Sequence, residues 1–345
     1  CLFMQYATEF YKTLRISKEP LLTMFIQGDD VMNYLVTGGL GCIGAWTLYH
    51  LVKESKKGIC FDVGDNRQRL DKLLSAEEQT HITFVQGDLT DQTQVNDLFA
   101  DHGITHVIHL AALQVPFCKA NPALGAQVNV TGTVHIFEAA RQHGVNHIVC
   151  ASSVAVYGPP ALYPSGLLAP DAPRVPHTLY GAYKVCNEQT AEVYYRDQGM
   201  TSIILRPYTV YGVGRDQGLT SEPTKAMHAA AQGENYHIPF GGKMQFHYAS
   251  DVARQFIAAA ENPLDGAYVF SLGTTPVAVE HVAALIMQNC PTVTITVGEQ
   301  RLPFPEGCDA APLYAQMETV YETPLETAVT ETIQHFQRLA AASGS

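Results

Sequence analysis

Leu35-Val36-Thr37-Gly38-Gly39-Leu40-Gly41-Cys42-Ile43-Gly44 runs from an apolar strand through a glycine-rich turn into a helix. Gly38, Gly41 and Gly44 have the spacing GxxGxxG. Without a Cβ these positions permit a tight turn. They also let backbone N–H groups approach a pyrophosphate at the helix N-terminus, where the helix dipole favours negative charge. With Cys42 and Ile43, which open the helix, the three glycines are the first candidate cofactor contacts.

The pattern on either side gives the turn its context. Short β-rich runs fall at Tyr34–Thr37, Gly58–Asp62, Ile82–Gln86, His106–Leu110, His147–Ser152 and Ser202–Arg206. Helical patterns lie between them, notably Ile43–Glu54, Leu124–His143 and Tyr180–Gln198. Such alternation predicts an α/β fold, a doubly wound parallel sheet of Rossmann type, over residues 32–212. After Gly212 the alternation weakens. Short strands near His237–Phe240 and Ala267–Leu272, with helices near Ala278–Gln288 and Leu325–Ala341, predict a smaller C-terminal α/β substrate lobe over 213–340. Some of its segments are expected to return to the first domain. The lobe should close over the carboxyl edge of the sheet, where ligands of open α/β sheets bind. Residues 1–31 do not fit the pattern and are expected to be an extension of doubtful origin, with a vector-derived or upstream-translated segment favoured over a genuine capping extension. Residues 341–345 are expected to form a flexible tail.

Composition narrows the class. The chain has 345 residues, 46% of them hydrophobic and 16% charged, which suits a buried globular enzyme rather than a disordered chain. A net charge of -12 without a basic run disfavours nucleic acid and anionic membranes as partners. The eight cysteines include no CxxC pair, so reduced thiols and a cytoplasmic enzyme are expected, with no metal site.

Further cofactor candidates follow the strand ends. Asp62 ends the second strand, where an acid can accept hydrogen bonds from the adenosine ribose and repel a 2′-phosphate. NAD is therefore favoured over NADP, although Arg67 and Arg69 follow closely. Asp88 and Leu89 after the third strand, Leu110, Ala111 and Ala112 after the fourth, and Asn129 in the following helix complete the set. His109 reads as a satisfied structural histidine.

The chemistry points to Cys150-Ala151-Ser152-Ser153-Val154-Ala155-Val156-Tyr157-Gly158 and to Tyr180-Gly181-Ala182-Tyr183-Lys184. Tyr180 and Lys184 stand one helical turn apart on one face, one element after a serine-bearing strand end. A phenol with an ordinary pKa near 10 is a poor base at neutral pH, and a nearby ammonium would favour its phenolate.

TGGLGCIG, Asp62, GDL, HLAA, SSVAVYG and YGAYK occur in the order of the extended short-chain dehydrogenase/reductases. The chain resembles their NAD-dependent epimerase/dehydratase branch, which is typified by UDP-galactose 4-epimerase. The resemblance is close from Asn33 to about Gly212 and looser beyond. It implies that Tyr180 is the acid/base, that Lys184 lowers its pKa and meets the nicotinamide ribose, and that Ser153 hydrogen-bonds the reacting oxygen beside a supporting Ser152. It also implies that Arg206-Pro207 begins the segment lining the substrate cavity, and that helices Leu124–His143 and Tyr180–Gln198 form a homodimer seam.

Departures from the family pattern refine the reaction. Dehydratases of the branch carry Thr-Asp-Glu where this chain has Ser153-Val154-Ala155, so dehydration is disfavoured. UDP-sugar epimerases carry an Asn where Thr209 stands and an Arg where Met244 stands. A diphosphate needs fork-like charged donors; Arg215, Lys225 and Lys243 are the remaining sources. Hydride transfer on a free sugar, sugar acid or similar polyol is therefore expected, dehydrogenation before epimerisation of a sugar or nucleotide sugar. A non-catalytic NAD sensor is the remote alternative. Gln114, Ser152, Tyr157, Thr209 and His247 are the substrate-contact candidates, and a small sugar-like molecule is the expected partner.

Overall fold

The computed structural model describes residues 32–343; the expectation for residues 1–31 lies outside them. Seven strands form one parallel sheet in the order β11-β6-β5-β4-β1-β2-β3. They are β1 (Asn33–Thr37), β2 (Lys57–Asp62), β3 (Ile82–Gln86), β4 (His106–His109), β5 (His147–Ala151), β6 (Thr201–Arg206) and β11 (Ala267–Ser271). The order reverses between β1 and β4, so the crevice at their carboxyl ends is the topological switch point.

The inner strands read as nearly continuous apolar runs because both their faces are covered, whereas the edge strand β3 leaves Thr83 and Gln86 exposed. In β1, Tyr34 and Val36 enter one core with Trp46, Leu48 and Leu51 of the helix Cys42–Lys53. Leu35 enters the other core, with Val95 and Leu98 of Gln92–His102, and Ile136 and Phe137 of Gly132–Gln142. The helix Ala249–Glu261 returns from the later chain to the first of these layers; Val252, Ala253 and Phe256 are fully or almost fully buried there.

Three expectations need correction. The strand expected near Ala267–Leu272 belongs to the main sheet, paired with β6 in register Val269↔Ile204, and not to the lobe. The helix expected over Leu124–His143 is divided: helices Pro122–Ala126 and Gly132–Gln142 flank a π turn at Gln127–Thr131. The tail expected from residue 341 begins as helix, since Leu325–Ser343 continues through it.

The lobe contains three two-stranded pieces. They pair β7 (Thr209–Tyr211) with β10 (Phe246–Tyr248), β8 (Tyr236–Gly241) with β13 (Ile295–Arg301), and β9 (Lys243–Met244) with β12 (Val277–Ala278). Helices Glu222–Ala231, Val279–Asn289 and Leu325–Ser343 pack with them.

Candidate active site

The glycine turn is closed by its own backbone. Gly38 has φ +67, and a Cβ there would lie 2.7 Å from the Cα of Ala111. A Cβ on Gly44 would sit 2.2 Å from the Gly38 carbonyl oxygen. Gly41 caps the helix Cys42–Lys53 without a side-chain acceptor, and the first turn holds no acid. The opening N–H groups, those of Cys42, Ile43 and Gly44, thus lack intrahelical acceptors and make a cradle for phosphate. Thr37 ties the two strands at the switch point. Its Oγ1 accepts from Leu110 N at 3.2 Å and Ala111 N at 3.3 Å, and pairs with His109 Nδ1 at 2.7 Å. The other ring nitrogen of His109 meets Thr133 Oγ1 at 3.0 Å, and burial pushes this histidine down to about 3, so it stays neutral.

Asp62 sits half-buried at the end of β2 and accepts from the Leu40 N–H at 3.1 Å, bracing the glycine turn. The two arginines that left NADP open are both engaged. Arg67 stacks on Phe84 at 3.5 Å from the ring centroid, and Arg69 holds Asp216 at 2.7 Å and the Leu40 carbonyl at 3.0 Å. Asp88 accepts from Thr90 N at 2.8 Å beside the buried Leu89. Half-buried Leu110, Ala111 and Ala112 line the wall opposite the glycines. Asn129 is buried and clamps Leu113, accepting from its N–H at 2.7 Å and donating to its carbonyl at 2.8 Å. It therefore shapes that wall from behind rather than facing a cofactor. Cradle, small-residue wall and carboxylate together fit NAD.

The catalytic group assembles across β5 and the helix Leu179–Gln198. Ser153 caps a short 3-10 turn, accepting from Ala155 N at 3.1 Å, and its hydroxyl favours the ionised form of the Tyr180 phenol. Lys184 is buried, donates to the Ala151 carbonyl at 2.7 Å, and holds its Nζ 5.6 Å from the centre of the Tyr180 ring. Burial pushes the Tyr180 phenol up to about 12, against the pull of Ser153 and of the Arg215 charge. Burial also lowers Lys184 to about 8. The expected acidification of Tyr180 by Lys184 is not among the effects acting on the phenol, which desolvation dominates, and the ammonium is directed to a carbonyl.

Behind this group lies a buried ion pair. Glu188, one turn after Lys184, accepts from Ser152 Oγ at 2.6 Å, from Arg206 at 2.6 and 2.7 Å, and from Arg174 at 3.0 Å. Arg206 also donates to Tyr157 Oη at 2.8 Å. Ser152, Tyr157 and Arg206, placed at the substrate by the sequence, therefore form the scaffold holding Ser153. Thr209 and His247 are likewise interior. Thr209 donates to the buried Met244 sulfur at 3.2 Å, and His247 Nδ1 accepts from Tyr208 N at 2.9 Å. Among the substrate candidates, half-buried Gln114 remains beside the cleft, its Oε1 packed against Gly218 next to Arg215. Glu188 and Arg174 escaped sequence reading; the repeat of the helical spacing from Tyr180 to Lys184 to Glu188 was the available signal.

A doubly wound sheet with an uncapped glycine turn at its switch point and a Ser–Tyr–Lys group beside it defines a dinucleotide-dependent oxidoreductase. Residues 34–273 match the model of the NAD dependent epimerase/dehydratase family, and the chain belongs to that family. The chain is 31% identical over 248 residues to UDP-glucose 4-epimerase of Mycolicibacterium smegmatis, covering 70% of this chain and 77% of that protein. In fold it is similar to UDP-glucose 4-epimerase of Thermotoga maritima, with TM-score 0.76, 22% identity, and coverage of 90% of this chain and 100% of that one. It is also similar to an L-threonine dehydrogenase from Cupriavidus necator, with TM-score 0.77, 22% identity, and coverage of 88% and 99%. The protein is an NAD-dependent enzyme.

Proposed function

We propose that the chain is a dehydrogenase, oxidising a secondary hydroxyl or reducing the corresponding ketone on a small sugar, sugar acid or similar polyol. The observation that carries this reading is the Thr209–Met244 contact. The two positions where UDP-sugar epimerases carry their polar anchors meet each other in the interior, Thr209 with no exposure and Met244 with 2%. An epimerase must hold its oxidised intermediate while it turns. A substrate without that grip leaves as product.

The proposed roles are as follows. Tyr180 takes the hydroxyl proton in oxidation and returns it in reduction, and Ser153 donates to or accepts from the same oxygen. Lys184, buried and 5.6 Å from the centre of the phenol ring, supplies positive charge beside it. NAD, when bound, supplies the hydride acceptor, held by the Gly38–Gly44 turn with Asp62 at the ribose.

A second reading, epimerisation of a nucleotide sugar, is favoured by the curated relatives named UDP-glucose 4-epimerase. Steady-state turnover separates the two. Stoichiometric NADH release supports the dehydrogenase; interconversion of sugars with no added cofactor and no net NADH supports the epimerase and removes our reading. We also infer a homodimer through the exposed apolar residues Phe117, Leu124, Leu179 and Val193, working in the cytoplasm. Among the described residues no helix is long and apolar enough to cross a membrane. Sedimentation at micromolar concentration tests the dimer, and a monomer there removes it.

A further inference from the structure

Arg215 stands on the loop after β7, between Gly214 at φ +86 and Gly218 at φ +102. Its neighbour Asp216 turns away to Arg69. Arg215 itself makes no ion pair among the described residues: Nη2 donates to Thr220 Oγ1 at 3.2 Å, while Nε is buried and has no hydrogen-bond partner. Buried donors are nearly always satisfied, because burial removes the water that would otherwise serve them. A guanidinium edge left open in this way matches a planar anion.

Its place in the cleft says which anion. The carbonyl of Val213, two residues before it, accepts from Trp46 Nε1 at 2.9 Å and faces Cys42 Sγ at 3.9 Å, which sets the Arg215 loop against the helix that follows the glycine turn. Its charge also opposes the rise that burial imposes on Tyr180 and Cys42. A Cβ on Gly218 would lie 2.2 Å from Gln114 Oε1 and 2.9 Å from Arg215 Nη2, which puts these two polar groups side by side. The other basic candidates are less suited: Lys225 is bound to Glu222 at 2.8 Å, and Lys243 is exposed.

We propose that Arg215, flanked by Gln114 and Thr220, binds an anionic group on the substrate, a carboxylate or a phosphate, and so selects acids over neutral polyols. The proposal rests on the site assigned above and narrows its substrate class. Arg215 is then a specificity-determining residue, acting on a part of the substrate that does not react.

The test uses the full chain loaded with NADH and titrated calorimetrically with malonate, inorganic phosphate and erythritol. An anion should bind and erythritol should not; malonate binding points to a carboxylate and phosphate binding to a phosphoryl group. Arg215→Met should weaken that anion roughly 10- to 100-fold, and Arg215→Lys by less, with NADH affinity retained as the sign of a folded site. The proposal is overturned if neither anion binds, if erythritol binds equally well, or if anion binding is indifferent to both variants. It is also overturned if NADH affinity falls in step with the anion, because Arg215 then serves the cofactor. The dehydrogenase reading fails separately, on the absence of net NADH from any active substrate, whatever malonate does.

Discussion

The wall of the cleft that takes the cofactor is made of backbone and of side chains that are absent or small: Gly38, Gly41, Gly44, Ala111 and Ala112. Beside Gly218 stand long polar side chains instead, Gln114 and Arg215, on loops that meet from distant parts of the chain. The cofactor wall recognises its ligand by leaving room and pointing N–H groups, so its requirements are local and strict. The polar pair does so with side-chain charge, which can change while the fold persists. One family can therefore share a cofactor and differ in substrate.

Perturbing the catalytic group tests this contrast most severely. Tyr180→Phe is expected to lower kcat by about 10²- to 10⁴-fold while NADH still binds, as read from initial rates and fluorescence titration. Full turnover in this variant would break the catalytic assignment and place the acid/base on another residue. Next in size is the scaffold behind the catalytic group. Glu188 has no side-chain exposure and Arg206 only 6%, so Glu188→Ala strands a buried guanidinium and should cost about 3–5 kcal/mol in chemical denaturation. A loss below 1 kcal/mol, on the scale of exposed ion pairs, would show that the network is not a unit.

The cofactor wall alone is sharpened by Asp62→Asn. Removing the carboxylate should weaken NADH roughly 10- to 100-fold and narrow its advantage over NADPH. An unchanged preference would mean that the glycine turn, not Asp62, sets the choice. The smallest effect is one of proton linkage. Burial holds Lys184 near 8 against its ordinary 10.5, so between those values the unfolded chain binds the extra proton. Stability relative to Lys184→Met should then rise as pH climbs through that window; a flat or falling difference in thermal denaturation would contradict the buried ammonium.

Much of this molecule was legible because its signals are short-range. The six strands of the first half lie within a residue of where alternating β-rich runs put them, since the inner ones are buried on both faces and the edge strand β3 still keeps Ile82, Phe84 and Val85 against the core on either side of the sheet. Ser153, Tyr180 and Lys184 were legible because a strand end and one helical turn fix their neighbours. The π turn at Asn129 was not: its amide answers to Leu113, a loop residue that no helical periodicity encodes. Nor was the membership of β11, an edge strand whose apolar run suits a lobe strand equally well until Val269 is seen opposite Ile204.

By itself the sequence determined the glycine cradle, the strand–helix alternation and the candidates for the catalytic trio, because steric need and helical spacing act over a few residues. Only the tertiary structure decided that Ser152, Tyr157, Arg206, Thr209 and His247 lie in the interior, and that Arg215 stands beside Gln114 with an unanswered N–H. Burial and charge at those positions depend on partners tens to hundreds of residues away, and desolvation, which sets Tyr180 and Lys184, exists only once the chain has closed around them.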